Sequence, residues 1–450
     1  MKTLRLFLVL PLLAGEILAG ETAAGGPVLP EKIIPQLEPI LAAAVQQSPR
    51  MLNRVLDLEI AENNRIQARA NVLPSVGGWA SYYDSRDTRA DLTGPLNVIK
   101  IAYNLSVNQP VFYWGERRNN AKMGEIQASI AKGQFQDGYR ALAQTLRGDY
   151  MRLIVQKLSV KRAVAYQEYT KDQLQKEETR LAQKVISEFQ IFPIRLAAEQ
   201  AQIASERAQF DFEMAKVSFA RLSGQPLLDD AIPDTIPVAA YEAAVYDRQL
   251  ADYLGQKEPP TMEAVIMRKQ LENEKLNYLN QTTRLKPKFN AVLGASQDQQ
   301  SYTLNVAQKY RVNSLFGGVS ASWTIFDGFS SQAAVRSEIA RKRQMENDYK
   351  DLTERLAQQA QTQVKQLNFS ARSMVITDRA MVASEGNLKT KQDEFARGVC
   401  SEDDVSWARI ALMDAQINAY NGRSDYLYRI GDFLGTVMAD PVVANVAANK

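Results

Sequence analysis

PVFYWG at residues 110–115 and WTIFDG at residues 323–328 are the stretches that decide the fold, because they are two versions of one turn separated by 213 residues. A second pair agrees with this offset: RLAAEQAQI at 195–203 recurs as RIALMDAQI at 409–417, 214 residues later. A repeat of this length is far longer than a solenoid unit. The sequence therefore predicts two copies of one half-protein in tandem.

Each turn follows a segment with a period of two. In residues 75–112 the later part alternates Ile101, Tyr103, Leu105 and Val107 with Ala102, Asn104, Ser106 and Asn108. Such alternation is typical of a strand whose two faces meet different surroundings. The second copy alternates in the same way within 289–326. The sequence therefore predicts one β-hairpin in each copy, and four strands in the chain.

Each turn is followed by a very long helix. Residues 117–184 and 330–397 contain no proline, and at 1.5 Å per residue each helix would span about 100 Å. A seven-residue apolar repeat predicts that each helix packs along a partner in a left-handed supercoil. Helices at about 38–72 and 193–223 would match that length end to end, as one interrupted antiparallel partner. The two repeating lines are Leu146, Leu153, Val160, Gln167, Leu174, Leu181 and Ala360, Leu367, Met374, Met381, Leu388, Phe395.

Composition argues against most chemistry. The chain has no histidine and a single cysteine, Cys400, so it lacks the commonest general base and any thiolate cluster. We predict no catalytic residues, no metal site and no cofactor. The net charge of +3 is too small to indicate a nucleic-acid partner. Residues 1–20 carry Lys2 and Arg5 before a short apolar run and small residues, which predicts a secretory signal peptide.

Four strands with one apolar face cannot lie in a bilayer as an open sheet, because the edge backbone groups would be unsatisfied in hydrocarbon. They are also too few to close a barrel, which needs about eight strands. If the strands face lipid, several chains must share one barrel, and three chains give twelve strands. The alternatives are a soluble periplasmic coiled-coil scaffold with an ordinary hairpin domain and, less favoured, an exported enzyme.

The segments QARANVLPSV (67–76), PVFYWG, WTIFDG and EFARGVCSEDDV (394–405), in this order, resemble the TolC-like outer-membrane efflux protein family. The resemblance implies an α+β membrane protein whose long coiled-coil helices form a trimeric α-barrel, joined to a shared twelve-stranded transmembrane β-barrel. It implies a passive outer-membrane exit duct of a tripartite efflux or type I secretion system, with the helical barrel in the periplasm. The implied partners are two further copies, outer-membrane lipid, a periplasmic adaptor protein and an inner-membrane transporter.

Taken together, the repeat and the resemblance divide the chain into five parts. They are the signal peptide 1–20, the first structural repeat 28–224, an equatorial linker region 225–258, the second structural repeat 259–436 and a C-terminal tail 437–450.

The candidate site is the break after each long helix. In the family pattern an aromatic residue, a glycine and an aspartate at the pore fall on Phe395, Gly398 and Asp404, whereas the first copy has Leu181, Lys184 and Gln190. We therefore expect a pore gate of Asp404 and its neighbour Asp403, with Gln190 at the equivalent position. The alternative is that these acids only complement the dipole at a helix N-terminus. The expected adaptor-docking residues are Lys184, Val185, Ser187, Gly398, Val399 and Ser401.

Overall fold

The computed structural model describes residues 28–88, 90, 94–303 and 307–442, so the expected signal peptide and the last part of the expected tail lie outside the described residues. Long helices and one antiparallel sheet make up the described chain. The helices are α1 (Pro30–Ile33), α2 (Leu37–Gln47), α3 (Pro49–Ala70), α4 (Glu116–Ala182), α5 (Glu188–Ser223), α6 (Ala243–Leu254), α7 (Met262–Gln281), α8 (Ser330–Ala396) and α9 (Glu402–Thr436). The strands are β1 (Ser75–Asp87), β2 (Leu96–Phe112), β3 (Lys288–Thr303) and β4 (Ala307–Ser322).

The four strands form a single antiparallel sheet in the order β1-β2-β3-β4, so the hairpins of the two copies pair through β2 and β3. The predicted four strands and the α+β fold class are thereby confirmed. This order leaves β1 and β4 at the two edges of the sheet.

The two faces of the sheet carry different residues. A hollow of about 500 Å³ lies on one face of the sheet, and eight of the ten residues that line it point to that face. We call this the concave face, and Ile101, Tyr103, Leu105 and Val107 lie on the opposite, convex face. The eight residues on the concave face are Trp79, Ser81, Tyr83, Lys100, Ala102, Asn104, Ser296 and Asp298.

The two repeated turns fix the sheet to the helices. The indole Nε1 of Trp114 donates to the carbonyl of Pro287 at 2.8 Å, and that of Trp323 donates to the carbonyl of Leu285 at 2.9 Å. Both acceptors lie in the short link between α7 and β3. Trp114 and Trp323 occupy different positions in the two repeated turns, so the two turns hold the start of β3 through different residues.

The helices form a wall one layer thick. In the half away from the sheet, α5 packs on α4, α4 on α9 and α9 on α8; nearer the sheet the row is α3, α4, α7 and α8. Thus α4 and α8 are continuous, and each pairs with an interrupted partner made of two shorter helices. The predicted apolar lines are buried in the middle of the long helices, where Leu146, Leu153 and Leu367 are almost fully buried, whereas Phe395 at the end of the second line is 48% exposed.

Two helix boundaries differ from the sequence expectation. The helix expected at about 38–72 is two helices, since Ser48 is extended before Pro49, and proline disfavours the helical conformation in the preceding residue. The return helix expected from 193 begins at Glu188, with Pro193 inside it. A capping box at Ser187 starts this helix five residues before the proline.

The main core lies at the middle of the long helices. Residues 225–258 cross this level and bury Ile232 and Ile236 against α4 and α9. The guanidinium of Arg423 donates to the carbonyl of Ile236 at 2.5 Å, and the ammonium of Lys157 donates to that of Ile232 at 2.7 Å. Side chains from the long helices therefore satisfy the backbone of an irregular segment, which would otherwise be costly to bury.

A buried ion cluster ties both ends of the described chain to the same level. Arg147 of α4, only 1% exposed, donates to Glu31 at 2.6 and 2.9 Å and to Asp440 at 2.6 and 3.2 Å. Because removing one partner of a buried pair leaves an uncompensated charge, this cluster fixes α1 and the segment after α9 on α4. In the part of the chain that the structure describes, no helix combines the length and apolar character needed to cross a membrane.

Candidate functional site

The two ends of the long helices have the same backbone geometry. After α4, Lys184 has φ +58°, and after α8, Gly398 has φ +73°. The amide of Val185 donates to the carbonyl of Arg180 at 2.9 Å, and the amide of Val399 donates to that of Glu394 at 2.9 Å. These are Schellman C-caps, which end a helix with one left-handed residue. We call residues 183–187 and 397–401 the tip turns.

Each return helix then begins with a capping box. In the second copy, the amide and hydroxyl of Ser401 donate to Oδ2 of Asp404 at 2.9 and 2.6 Å, and the amide of Asp404 donates back to the Ser401 hydroxyl at 3.2 Å. In the first copy, the amide of Ser187 donates to Oε1 of Gln190 at 2.9 Å. Gln190 and Asp404 therefore occupy the same position, the third residue of a helix.

Asp404 keeps a negative charge in this position. Its side chain is exposed, and the hydrogen bonds from the Ser401 hydroxyl and amide hold the pKa of its carboxyl below the usual value. One oxygen of the carboxylate is engaged by the cap, and the other is not needed for it. The cap and a charge facing an open space are therefore compatible functions of this residue.

Asp403 has a different environment. Its Oδ1 accepts from Nζ of Lys176 on α4 at 2.5 Å. This bond, followed by one from Gln173, lowers the pKa of the Asp403 carboxyl. The same contact raises the pKa of the Lys176 ammonium. The two helical hairpins are α4 with α5 and α8 with α9. The structure thus places Asp403 in a contact between them, whereas the sequence analysis treated it as a companion of Asp404.

Two more contacts join α4 to α9 in line with this one. Arg162 donates through Nε and Nη2 to both oxygens of Asp414, at 2.9 and 3.0 Å. The rings of Tyr169 and Trp407 lie 5.9 Å apart. We call these three pairs the hairpin ladder: Arg162–Asp414, Tyr169–Trp407 and Lys176–Asp403.

The ladder residues on α4 were missed by the sequence analysis. Arg162, Tyr169 and Lys176 follow one another at intervals of seven residues, so they form one line on a supercoiled helix. That spacing could have indicated a contact with another helix. A polar line on a helix is, however, indistinguishable from a solvated face until the partner helix is known. The pairing with α9 is decided by the packing of the hairpins.

The expected docking residues divide into two groups. Lys184, Val185 and Val399 are exposed at the tip turns, with Val185 at 61% and Val399 at 71%. Ser187 and Ser401 are instead the N-caps of the return helices. Gly398 is the left-handed residue of its turn. Cys400 is half-buried and its Sγ contacts the carbonyl of Lys391 at 3.3 Å.

The described residues contain no group of three or more cysteine or acidic side chains placed to hold a metal ion. What the site offers is the exposed carboxylate of Asp404 and the exposed ammonium of Lys184 at the end of a helical wall, next to contacts that hold the two helical hairpins together. A duplicated wall of helices about 100 Å long with a four-stranded sheet at the other end has the fold class that the sequence predicts, long coiled-coil helices joined to a sheet.

Comparison with known proteins agrees with this class. Residues 40–225 match the family model described as outer membrane efflux protein, which confirms the resemblance to that family. Over residues 40–225 the chain is therefore similar to a family of pore proteins that have no enzymatic activity.

Solved structures match over nearly the whole chain. The CmeC outer membrane channel of Campylobacter jejuni is 12% identical with a TM-score of 0.67, covering 96% of this chain and 93% of that one. The outer membrane protein VceC of Vibrio cholerae is 16% identical with a TM-score of 0.61, covering 90% and 96%. The MtrE outer membrane channel of Neisseria gonorrhoeae, in its open state, is 16% identical with a TM-score of 0.61, covering 90% of both chains. No curated protein sequence matches the chain.

Proposed function

We propose that this protein is a passive exit duct of the outer membrane, built from three copies, which opens at its tip turns to let cargo leave a tripartite efflux or type I secretion system. The helical wall would stand in the periplasm and the sheet would lie in the membrane. This location is supported by the solved structures named above, since two of those proteins are outer membrane channels and the third is an outer membrane protein.

The observation that carries the proposal is an apolar seam on the free side of α5. Five residues at intervals of seven are 43–87% exposed, although a sustained heptad seam normally faces a partner helix. Within the chain, α5 is the end of the row of helices, so a neighbour outside the chain would cover the seam. The residues are Phe189, Leu196, Ile203, Phe210 and Val217.

A second copy fits this seam best. At the other end of the row, α8 leaves Phe369, Ile376 and Val382 between 62% and 66% exposed. A contact between α5 of one copy and α8 of the next would cover both apolar lines. Because it joins different surfaces of the two copies, it is head-to-tail and closes into a ring if the rotation permits.

The sheet supports the same ring. The edge strands β1 and β4 run antiparallel to each other, so β4 of one copy can pair with β1 of the next. Two copies would supply eight strands and three would supply twelve; the family resemblance favours three. Closure removes both open edges, which is the condition for a sheet in hydrocarbon.

The gate we propose is a ring of three Asp404 carboxylates, one from each chain. Gln190 of each chain occupies the equivalent position in the first repeat. Like charges near one axis repel one another and attract cations. Opening would separate the hairpins and break the hairpin ladder. The exposed Lys184, Val185 and Val399 at the tip turns are the surface we propose for a periplasmic adaptor, which would bring an inner-membrane transporter to the duct.

The proposed ring of three chains is tested by placing a charged residue in the apolar seam of α5. Ile203→Asp should convert the purified protein in mild detergent from a trimer to a monomer, because the seam cannot bury an unpaired carboxylate. The matched control is Gln202→Asp, one residue away and exposed, which should remain trimeric. Molecular mass by light scattering, heat-dependent gel migration and ion conductance in planar bilayers report the result. A wild-type protein that is monomeric and recovered from the soluble periplasm would refute the duct and favour the coiled-coil scaffold.

A further inference from the structure

Charged residues on the convex face of the sheet are confined to one end. Among the described strand residues, this face carries Asp84, Arg86, Lys309 and Arg311, one acid and three bases, for a net charge of +2. All four belong to the edge strands β1 and β4, at the end away from the helices. The convex face of β2 and β3 has no charged residue.

Lys309 and Arg311 form the centre of this basic patch. They are two residues apart on β4, so both point to the convex face with a spacing of about 7 Å. Nε of Arg311 donates to Oε1 of Gln299 on β3 at 2.8 Å, which orients the guanidinium while leaving its terminal nitrogens for another acceptor. Among the described residues, neither side chain lies within ion-pair distance of a carboxylate.

The patch begins where the apolar part of the same strand ends. On β4 the convex face continues from Arg311 through Asn313 to Leu315 and Val319, which are 90% and 73% exposed. Cationic side chains on the lipid-facing surface of a barrel are costly at the midplane and nearly free at the interface. The charges therefore indicate the level at which the hydrocarbon ends and headgroups begin.

From this geometry we propose that Lys309 and Arg311 bind the phosphate groups of a phosphorylated glycolipid in the outer leaflet. The inference rests on the proposed duct, since it requires the sheet to lie in the membrane with its hairpin ends outward. A guanidinium matches a phosphate through two parallel hydrogen bonds, and a neighbouring ammonium adds a second positive charge. Arg86 at the other edge of the sheet would join the patch when β1 of the next copy pairs with β4.

The test uses fluorescent diphosphoryl lipid A as the probe and the purified full chain in neutral detergent. The double variant Lys309→Gln, Arg311→Gln should bind the probe about 30-fold more weakly, because each basic side chain near an anionic lipid surface contributes roughly a fivefold gain in affinity. Lys100→Gln is the matched control: it removes one positive charge from the concave face and should bind as the wild type does. The single variant Arg311→Lys, with Lys309 unchanged, keeps both positive charges and should retain most of the affinity.

The source of the phosphate is tested in the same assay. Dephosphorylated lipid A should bind the wild type and the double variant equally weakly, and millimolar inorganic phosphate should not displace the probe. Displacement by inorganic phosphate would overturn the lipid assignment. Heat-dependent gel migration separates the two proposals: if the double variant forms the barrel and keeps wild-type affinity, the lipid site is wrong. If the wild type forms no barrel, the duct and the lipid site both fail.

Discussion

Nζ of Lys176 lies 2.5 Å from Oδ1 of Asp403, so a single ion pair joins α4 to the first turn of α9 close to the tip turns. The pair is half-exposed, and its two partners belong to different hairpins. It is the rung of the hairpin ladder nearest the end of the wall. Any separation of the two hairpins at the tip must break it first.

Lys176→Met should therefore favour the open duct. Exposed ion pairs contribute little, so we expect an increase of about two- to fivefold in the open fraction rather than a permanently open pore. The open and closed dwell times in single-channel recordings from planar bilayers measure this fraction. Lys171→Met, exposed on the same helix, is the control and should behave as the wild type. Equal open fractions in both variants would show that the ladder does not restrain the tip.

Asp404 has two functions that substitution can separate. Asp404→Asn keeps an oxygen for the Ser401 cap but removes the charge, so it should raise conductance and weaken blockade by multivalent cations without lowering thermal stability. Ser401→Ala removes the cap and keeps the charge; it should cost about 1 kcal/mol and leave blockade intact. Gln190→Asp should add a second acidic ring and strengthen blockade.

The pH dependence of this blockade follows from the direction of the Asp404 shift. Because its pKa is lowered, the charge is present above the ordinary aspartate range and is lost only as the pH falls through the lowered pKa. Blockade should be constant from pH 8 to about 5 and disappear only below about pH 4. A blockade that titrates near pH 6 would show that repulsion among the three carboxylates outweighs the hydrogen bonds from Ser401.

Glu274 and Glu338 form a partly buried acid pair between α7 and α8. The interaction with the Glu338 carboxyl, followed by burial, raises the pKa of the Glu274 carboxyl, and Arg341 donates to Oε1 of Glu338 at 3.0 Å. A raised acid pKa means that the folded state binds more protons, so stability is lost as the pH rises through the raised pKa. Glu274→Gln should therefore raise the thermal midpoint at pH 8 and not at pH 4. Glu385→Gln, exposed on α8, should change neither midpoint; a parallel rise there would indicate a general charge effect.

Gly224 ends α5 where the helix meets α2. Its φ is +81°, and a Cβ atom would lie 2.2 Å from the carbonyl oxygen of Gln47. Gly224→Ala should lower the free energy of unfolding by about 1–3 kcal/mol. Gly386→Ala, inside α8 with open space around it, should instead raise it by about 0.5–1 kcal/mol. Thermal unfolding of the two variants compares them, and a neutral Gly224→Ala would show that the junction is free to shift.

Local periodicity explains why so much of the fold could be predicted. The period of two in β2 and the seven-residue lines in α4 and α8 can be read directly from the sequence. The duplication makes them clearer, because the same patterns occur in both repeats. The errors were at prolines: Pro49 divides a helix that the apolar spacing made continuous, and Pro193 lies within a helix that a capping box starts earlier. In both cases a short-range backbone preference competed with the apolar periodicity, and the spacing of apolar residues alone does not determine where the helix begins or ends.

The sequence by itself determined the four strands, the two long helices, the tip turns and the equivalence of Gln190 with Asp404, because hydrogen-bonding periods and caps depend on residues close together along the chain. Only the tertiary structure decided that Asp403 pairs with Lys176, 227 residues away, and that the α5 seam faces outward. Those relationships depend on which helices are neighbours, and burial of side chains from distant segments sets that choice.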